Sequence, residues 1–397
     1  MTPPPARGSI GEVFLAALRL GLTSFGGPIA HIGYFRREYV ERRQWLDDAE
    51  FGEYLGLAQS LPGPVSSQLG ITIGTARAGM AGGLAAWLGF TLPSAILLVL
   101  FALVASSADL ASAGWVHGLK LAAVAIVAQA VYALAGSLTP DWTRKAVAVA
   151  GAAVALLWTD PIAQVAIIAG GALIGWLVIA APAARASDRA TVISIPRGVG
   201  VAALAAFAAL LAFVPFARAP SVPDGVAMTA AMYRAGALVF GGGHVVLPLL
   251  NAGVVDPGWV PEGQFLAGYG AAQAVPGPLF SFAAYLGTVA TPLGGVGGAA
   301  VALVAIYVPS FLLLFGVLPF WGRLRASGAF RRALTGINAA VVGLLAAALY
   351  QPVWTGAVAS LADVAVVVVA LAALVLARLP PIAIVAGCAI AGQLLAG

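Results

Sequence analysis

The chain carries the same punctuated pattern twice. Phe25-Gly26-Gly27 returns as Phe240-Gly241-Gly242 at an offset of 215 residues, and Gln59 with Pro62-Gly63-Pro64 returns as Gln273 with Pro276-Gly277-Pro278 at 214. Trp45 and Trp259, Phe51 and Phe265, Pro93-Ser94 and Pro309-Ser310, and Gly118 and Gly336 keep the same order at offsets of 214 to 218. A pattern duplicated in order puts helix-breaking residues at corresponding points of two related halves, and any fold of this chain must place them twice.

Those breaks interrupt very apolar sequence. Of 397 residues, 61% are hydrophobic and 9% charged, with a mean hydropathy of +0.99, whereas soluble domains carry about 25% charged residues. Such a chain cannot cover its surface in water, so an all-α polytopic membrane protein with the lipid bilayer as solvent is expected. The 20 Lys and Arg against 15 Asp and Glu are dispersed, which suits basic loops at a membrane face and argues against nucleic acid. The single cysteine, Cys388, allows no intrachain disulfide, and His31, His117 and His244 are too scattered for a metal cluster. With no dinucleotide fingerprint and no phosphate loop, neither a cofactor nor a catalytic residue is expected, and an enzyme is disfavoured. Residues 1–9 read as a Pro-rich polar stub rather than a secretory signal.

A bilayer-crossing helix needs about 20 mostly apolar residues. The stretches 82–105, 116–138, 144–159, 161–181, 198–216, 296–320, 332–350, 352–377 and 379–396 meet that need, with 144–159 the shortest. Four further apolar stretches are broken at Phe25-Gly26-Gly27-Pro28, Pro62-Gly63-Pro64, Phe240-Gly241-Gly242-Gly243 and Pro276-Gly277-Pro278. Arg36, Arg37, Arg42 and Arg43 follow the first break, while 251–263 carries Asp256 and Glu262 but no base. If each broken segment is a re-entrant hairpin, nearly all loop bases fall in the cytoplasm, Arg218 being the exception, with the N-terminus inside and the C-terminus outside. The alternative, full crossing by each broken segment, would put four arginines outside.

On the hairpin reading an odd number of crossings separates the two copies, so the second is inverted relative to the first. Residues 1–181 then form one repeat, 182–225 a linker with an extra transmembrane helix, and 226–397 the inverted repeat. Inverted repeats with broken helices are characteristic of secondary transporters whose substrate binds where the halves meet.

Gly and Pro at a hairpin tip expose backbone N–H groups at the start of the next helix, and such an end attracts anions. Four tips converging on one anion compete with a packing reading, in which the glycines and prolines only let helices approach or kink. Arg19 and Arg234 are repeat mates six residues before each Phe-Gly-Gly, and Lys120 aligns with Asn338. Buried bases in a membrane are expensive and point to function, unless they snorkel or pair with Glu12 or Asp363. Asp363 itself either balances such a base or carries a proton. His31 and His244 follow the Gly motifs as satisfied polar residues or proton relays. Gln59 and Gln273 precede each Pro-Gly-Pro, and Ser66, Ser67 and Gln68 follow only the first, so the two half-sites are expected to be unequal. The stretch 36–53, rich in both charges, reads as one membrane-surface helix.

The run from Phe25 to Arg36, Trp45-Leu46, Gln59 to Gly70, Arg77-Ala78-Gly79, Phe90 to Ala95, Phe240 to Leu249 and Gln273 to Phe280 resembles the chromate ion transporters in their long-chain, two-domain form. The resemblance implies an inner-membrane protein that exports chromate and confers chromate resistance, driven by the membrane potential or a proton gradient. It also implies sulfate as the competing or exchanged ion, with sulfate or other oxyanion uptake the alternative. A homodimer is one of the assemblies left open.

Overall fold

Helices form wherever apolar runs lie between the breaks, and the capping chemistry sets where they start. The computed structural model describes residues 8–105, 113–158, 160–180, 193, 195–240 and 243–395. In the first half these are α1 (Ile10–Thr23), α2 (Gly27–Phe35), α3 (Asp48–Ser60), α4 (Val65–Ala105), α5 (Gly114–Leu138), α6 (Trp142–Leu157) and α7 (Pro161–Val178). Helix α8 (Arg197–Phe213) links the halves. The second half continues with α9 (Asp224–Leu238), α10 (Val246–Leu250), α11 (Glu262–Ala274), α12 (Phe282–Val289), α13 (Gly295–Val317), α14 (Trp321–Ala326), α15 (Gly328–Ala348), α16 (Leu361–Val375) and α17 (Pro381–Leu395). Among the described residues there is no strand.

Among the described residues, four helical runs are long and apolar enough to cross a bilayer: Val65–Val104, Gly114–Leu138, Gly295–Ala326 and Gly328–Trp354. The span expected at 82–105 is the second part of α4, which bends at Ala78-Gly79, where Gly79 has φ +68°. The other five expected spans exist as shorter helices of 15 to 18 residues. At 1.5 Å per residue the shortest reach about 22 Å against a hydrocarbon core of about 30 Å. Helix α16 starts at Leu361 rather than 352 because Gln351 is extended, Pro352 cannot continue a helix, and Ser360 with Asp363 forms a capping box. The stretch 36–53 is likewise not one surface helix: widened turns over Arg36–Arg42 end near Gln44 at φ +51°, and Asp47 caps a new helix.

The halves exchange helices. Helix α5 packs along α16 and α17 of the second half, and α15 packs along α6 and α7 of the first. The repeat-mate glycines permit both approaches: a Cβ on Gly118 would lie 2.7 Å from the Ala389 backbone, and Gly336 lies directly against Gly175. Helix α1 lies along α4 as α9 lies along α13.

Both ends of each broken segment return to a common cluster. At the start of α1, Glu12 accepts a hydrogen bond from Trp45 Nε1 at 3.1 Å and pairs with Arg77 at 3.4 Å and Arg43 at 3.9 Å. The start of α1, the turn after α2 and the bend of α4 therefore meet. In the second half Thr291 N–H donates to Trp259 O at 3.2 Å and Gly225 abuts Leu293, so the corresponding three points meet there too.

Candidate functional site

The two Pro-Gly-Pro tips meet the ends of the opposite half's first helix. Gly63 N–H donates to Val239 O at 2.7 Å, and Gly277 N–H donates to Ser24 O at 2.9 Å. Gly63 is the repeat mate of Gly277, and Ser24 that of Val239, so one bond repeats the other with the halves interchanged. Both glycines have positive φ, +130° and +98°, a region that L side chains avoid. A Cβ on Gly63 would sit 2.7 Å from Ser310 Oγ and overlap the Gln68 amide; one on Gly277 would sit 2.9 Å from Ser94 Oγ. Each tip glycine thus packs on the Pro-Ser motif of the other half.

Helix α4 begins at this crossing. Pro64 precedes it without a side-chain acceptor, and the first backbone bond within the helix is Gln68 N–H to Pro64 O at 2.9 Å. The N–H groups of Val65, Ser66 and Ser67 therefore lead into the crossing. His31 is 1% exposed. Its Nε2–H donates to Ser24 O at 3.2 Å, so in the neutral ring Nδ1 accepts from Ser66 Oγ at 3.1 Å. Phe90 holds the imidazole edge-on at 5.4 Å. Ser67 Oγ and Tyr307 OH share a bond of 3.2 Å across the halves. The equivalent start in the second half is closed on itself: Ser281 Oγ donates to Pro278 O at 2.6 Å and Ser94 Oγ to Thr91 O at 3.0 Å. Phe280 and Phe282 are fully buried beside it.

The crossing thus brings together Pro62, Gly63, Pro64, His31, Ser66, Gly277 and the flanking Pro276 and Pro278. Other expected site residues lie elsewhere. Arg19 is exposed on α1, so the matched pair of buried cations does not form. Arg234 is 6% exposed on α9, five residues before Val239. Its guanidinium lies beside the Gly253 turn, where Arg19 has only the outer surface of α1, and this separates the mates. Gln59 is exposed, whereas Gln273 is half-buried with its Nε2 unbonded among the described residues. Gly26 is exposed and Gly27 half-buried; Gly241 and Gly242 lie outside the described residues. His244 Nδ1 bonds Tyr269 OH at 2.9 Å. Lys120 lies beside Gly263 at the start of α11, lining a cavity of about 180 Å³ with Gln264 and Tyr285. Asn338 is half-buried on α15. Asp363 bonds His117 Nε2 at 2.7 Å and the N–H groups of Ala359 and Ser360, so its partner is a histidine rather than a base of the expected set. Ser24, Ser94, Ser310 and Tyr307 complete the crossing, and the duplicated Pro-Ser pair was the sequence signal for two of them.

The chromate transporter family profile matches residues 11–176 and 226–393. The chain belongs to the chromate transporter family. It is 31% identical over 357 residues to the chromate transport protein of Pseudomonas aeruginosa, covering 87% of this chain and 81% of that one. It is 30% identical over 340 residues to a probable chromate transport protein of Synechococcus elongatus, covering 84% and 81%. A chromate transport protein of Cupriavidus metallidurans shares 31% identity over 358 residues, covering 86% and 82%. No solved structure matches the chain. Membership of a transporter family sets this chromate transporter relative outside the enzymes, and its apolar helices make it a membrane protein.

The exposure difference between the arginine mates separates their expected effects. Arg234→Ala removes a buried cation and is expected to lower anion flux about tenfold or more, a loss of about 1.4 kcal/mol or above. Arg19→Ala is expected to stay within about twofold, since surface substitutions usually cost under about 0.5 kcal/mol. Flux per membrane-inserted protein, quantified by immunoblot, checks both.

Proposed function

We propose that the chain is a secondary-active carrier that exports chromate, a tetrahedral oxyanion, from the cytoplasm. Sulfate or protons serve as the exchanged species, and the result is chromate resistance. The reciprocal bonds Gly63 to Val239 and Gly277 to Ser24 carry this reading. They join breaks of opposite halves at one level, which is how inverted repeats with two re-entrant hairpins each would enclose a midplane site. The return of each broken segment to a common cluster, at Glu12 and at Trp259, supports the hairpins. The bases Arg43 and Arg77 at the Glu12 cluster support a cytoplasmic face there, with the N-terminus inside and the C-terminus outside an inner membrane. The names of the relatives support chromate as cargo.

Everted vesicles carrying the protein are expected to accumulate radiolabelled chromate against its gradient, with saturation, and to stop when the membrane is depolarised or the exchanged ion withdrawn. Accumulation of sulfate but never chromate sinks the cargo assignment. Flux that neither saturates nor runs uphill identifies a channel.

A further inference from the structure

The two repeats hold their third helices differently. Within its own repeat each is held alike: α3 packs on α4 and on the widened turns at Arg36–Arg42, and α11 packs on α12 and on the widened turn at Asn251–Val255. Between the repeats the likeness ends. Gly175 meets Gly336 as Gly392 meets Gly118, which makes α7 the mate of α17 and α15 the mate of α5. Helix α11 packs along α5 and α17, whereas α3 packs along neither α15 nor α7 among the described residues.

Single residues show the same break in symmetry. A Cβ on Gly270 would overlap the Leu119 carbonyl, while its mate Gly56 has nothing within 4 Å. Leu266 is 0% exposed, and its mate Gly52 is exposed with nothing within 4 Å. Gln273 is half-buried and Gln59 exposed. On the facing helices Leu119 is buried, and its mate Ile337 is only half-buried. Gly52, Gly56 and Gln59 lie at i, i+4 and i+7, so one face of α3 is bare where the matching face of α11 is covered. A carrier built from inverted repeats accounts for this difference, because the contact that shuts one side must be open when its mate is shut.

We infer that α3 and α11 are the two gates of the carrier, and that in its opposite state α3 seats the face bearing Gly52, Gly56 and Gln59 on α15 at Ile337 while α11 leaves α5. This rests on the carrier reading above and assigns its moving parts. With the orientation given there, the structure is open to the cytoplasm beside α3 and shut to the outside by α11. On seating, Gly56 takes the place against the Ile337 carbonyl that Gly270 holds against that of Leu119. Ala49 approaches Asn338 as Gly263 approaches Lys120, whose Nζ lies 3.0 Å from the Gly263 Cβ position. The duplicated glycine follows from this: at either seat a side chain would enter the facing backbone. The Glu53 to Arg325 pair already holds α3 beside the turn that leads into α15, so the seating joins parts that are neighbours in this state.

The test is double electron–electron resonance in proteoliposomes, with nitroxides on cysteines introduced in a Cys388→Ala background. The pair Ala49→Cys with Ala329→Cys spans the starts of α3 and α15, and the pair Ala113→Cys with Pro261→Cys spans the starts of α5 and α11. While chromate exchanges, the wild-type background is expected to show two distances for each pair, the α3 pair gaining a shorter one as the α11 pair gains a longer one. Gly56→Leu is expected to insert and melt as the wild type does, because its side chain enters open space in this state. It is nonetheless expected to lower exchange about tenfold or more and to leave each pair with one distance, since overpacking excludes the seated state. Gly387→Leu, exposed on α17 with nothing within 4 Å, is the control and is expected to keep its flux within about twofold. An α3 pair that keeps one distance while wild-type exchange proceeds overturns the inference and leaves the carrier standing, as does Gly56→Leu exchanging at the wild-type rate. If Gly56→Leu fails to insert, the wild-type distances decide. Absence of saturable chromate exchange in the wild type removes the carrier reading, and the gates with it.

Discussion

Gly63→Val is expected to abolish chromate transport. At φ +130° a β-branched residue is strained whatever its surroundings, and here its Cβ would also collide with the Gln68 amide and with Ser310 Oγ. The tip would have to retreat, and the Gly63 N–H to Val239 O bond would go with it. Overpacking costs about 1–3 kcal/mol and the lost buried bond about 1 kcal/mol or more, together enough for a fall of about 30-fold or more in flux. Gly277→Val is expected to do the same from the other side through Ser94 and Ser24. Gly79→Ala separates packing from strain. Gly79 also has positive φ, +68°, but nothing lies within 4 Å of its Cβ position. It should lose about 1–3 kcal/mol of stability and keep most of its flux. Vesicle flux normalised to inserted protein, with size-exclusion profiles in detergent, distinguishes the three variants.

Arg325→Glu is expected to have the second large effect. Arg325 Nη1 reaches Glu53 Oε1 at 2.9 Å, joining α14 of the second half to α3 of the first, and the Glu53 side chain is 4% exposed. Reversing the arginine leaves a buried carboxylate facing another. Breaking a buried pair costs about 3 kcal/mol, the lower end being apt because Arg325 is part exposed. The double reversal Glu53→Arg with Arg325→Glu should recover much of the loss. The repeat mate of Glu53 is Ala267, so this pair ties the halves on one face only. A melting temperature by fluorescence in detergent, alongside flux, reads the outcome; a single mutant that matches wild type in both excludes a role for the pair.

The duplication was legible from the sequence because glycine and proline positions are dictated by backbone conformation, which both halves must repeat. Hence the tips at Gly63 and Gly277, and the close approaches at Gly118 and Gly336, fall on matched positions. Side-chain exposure does not follow from such a match. Arg19 and Arg234 are mates in sequence, yet α9 is enclosed on the side where α1 is open, and only Arg234 is buried. Asp363 found His117 rather than a lysine or arginine, because the helix exchange sets α16 along α5. That contact lies 246 residues apart in the chain and no local pattern announces it. Ser94 and Ser310 were visible as a repeated Pro-Ser pair, but their meeting with the opposite tips is a property of the crossing alone. The apolar count overestimated α16, since hydropathy does not register that Gln351 and Pro352 interrupt the helix.

The position of the oxyanion is measured most directly by anomalous scattering from chromium in crystals grown with chromate. One peak per molecule is expected within hydrogen-bonding reach of the α4 start, between Gly63, Ser66 and Ser310. A peak beside Lys120 in the cavity at the start of α11, with none at the crossing, would contradict it.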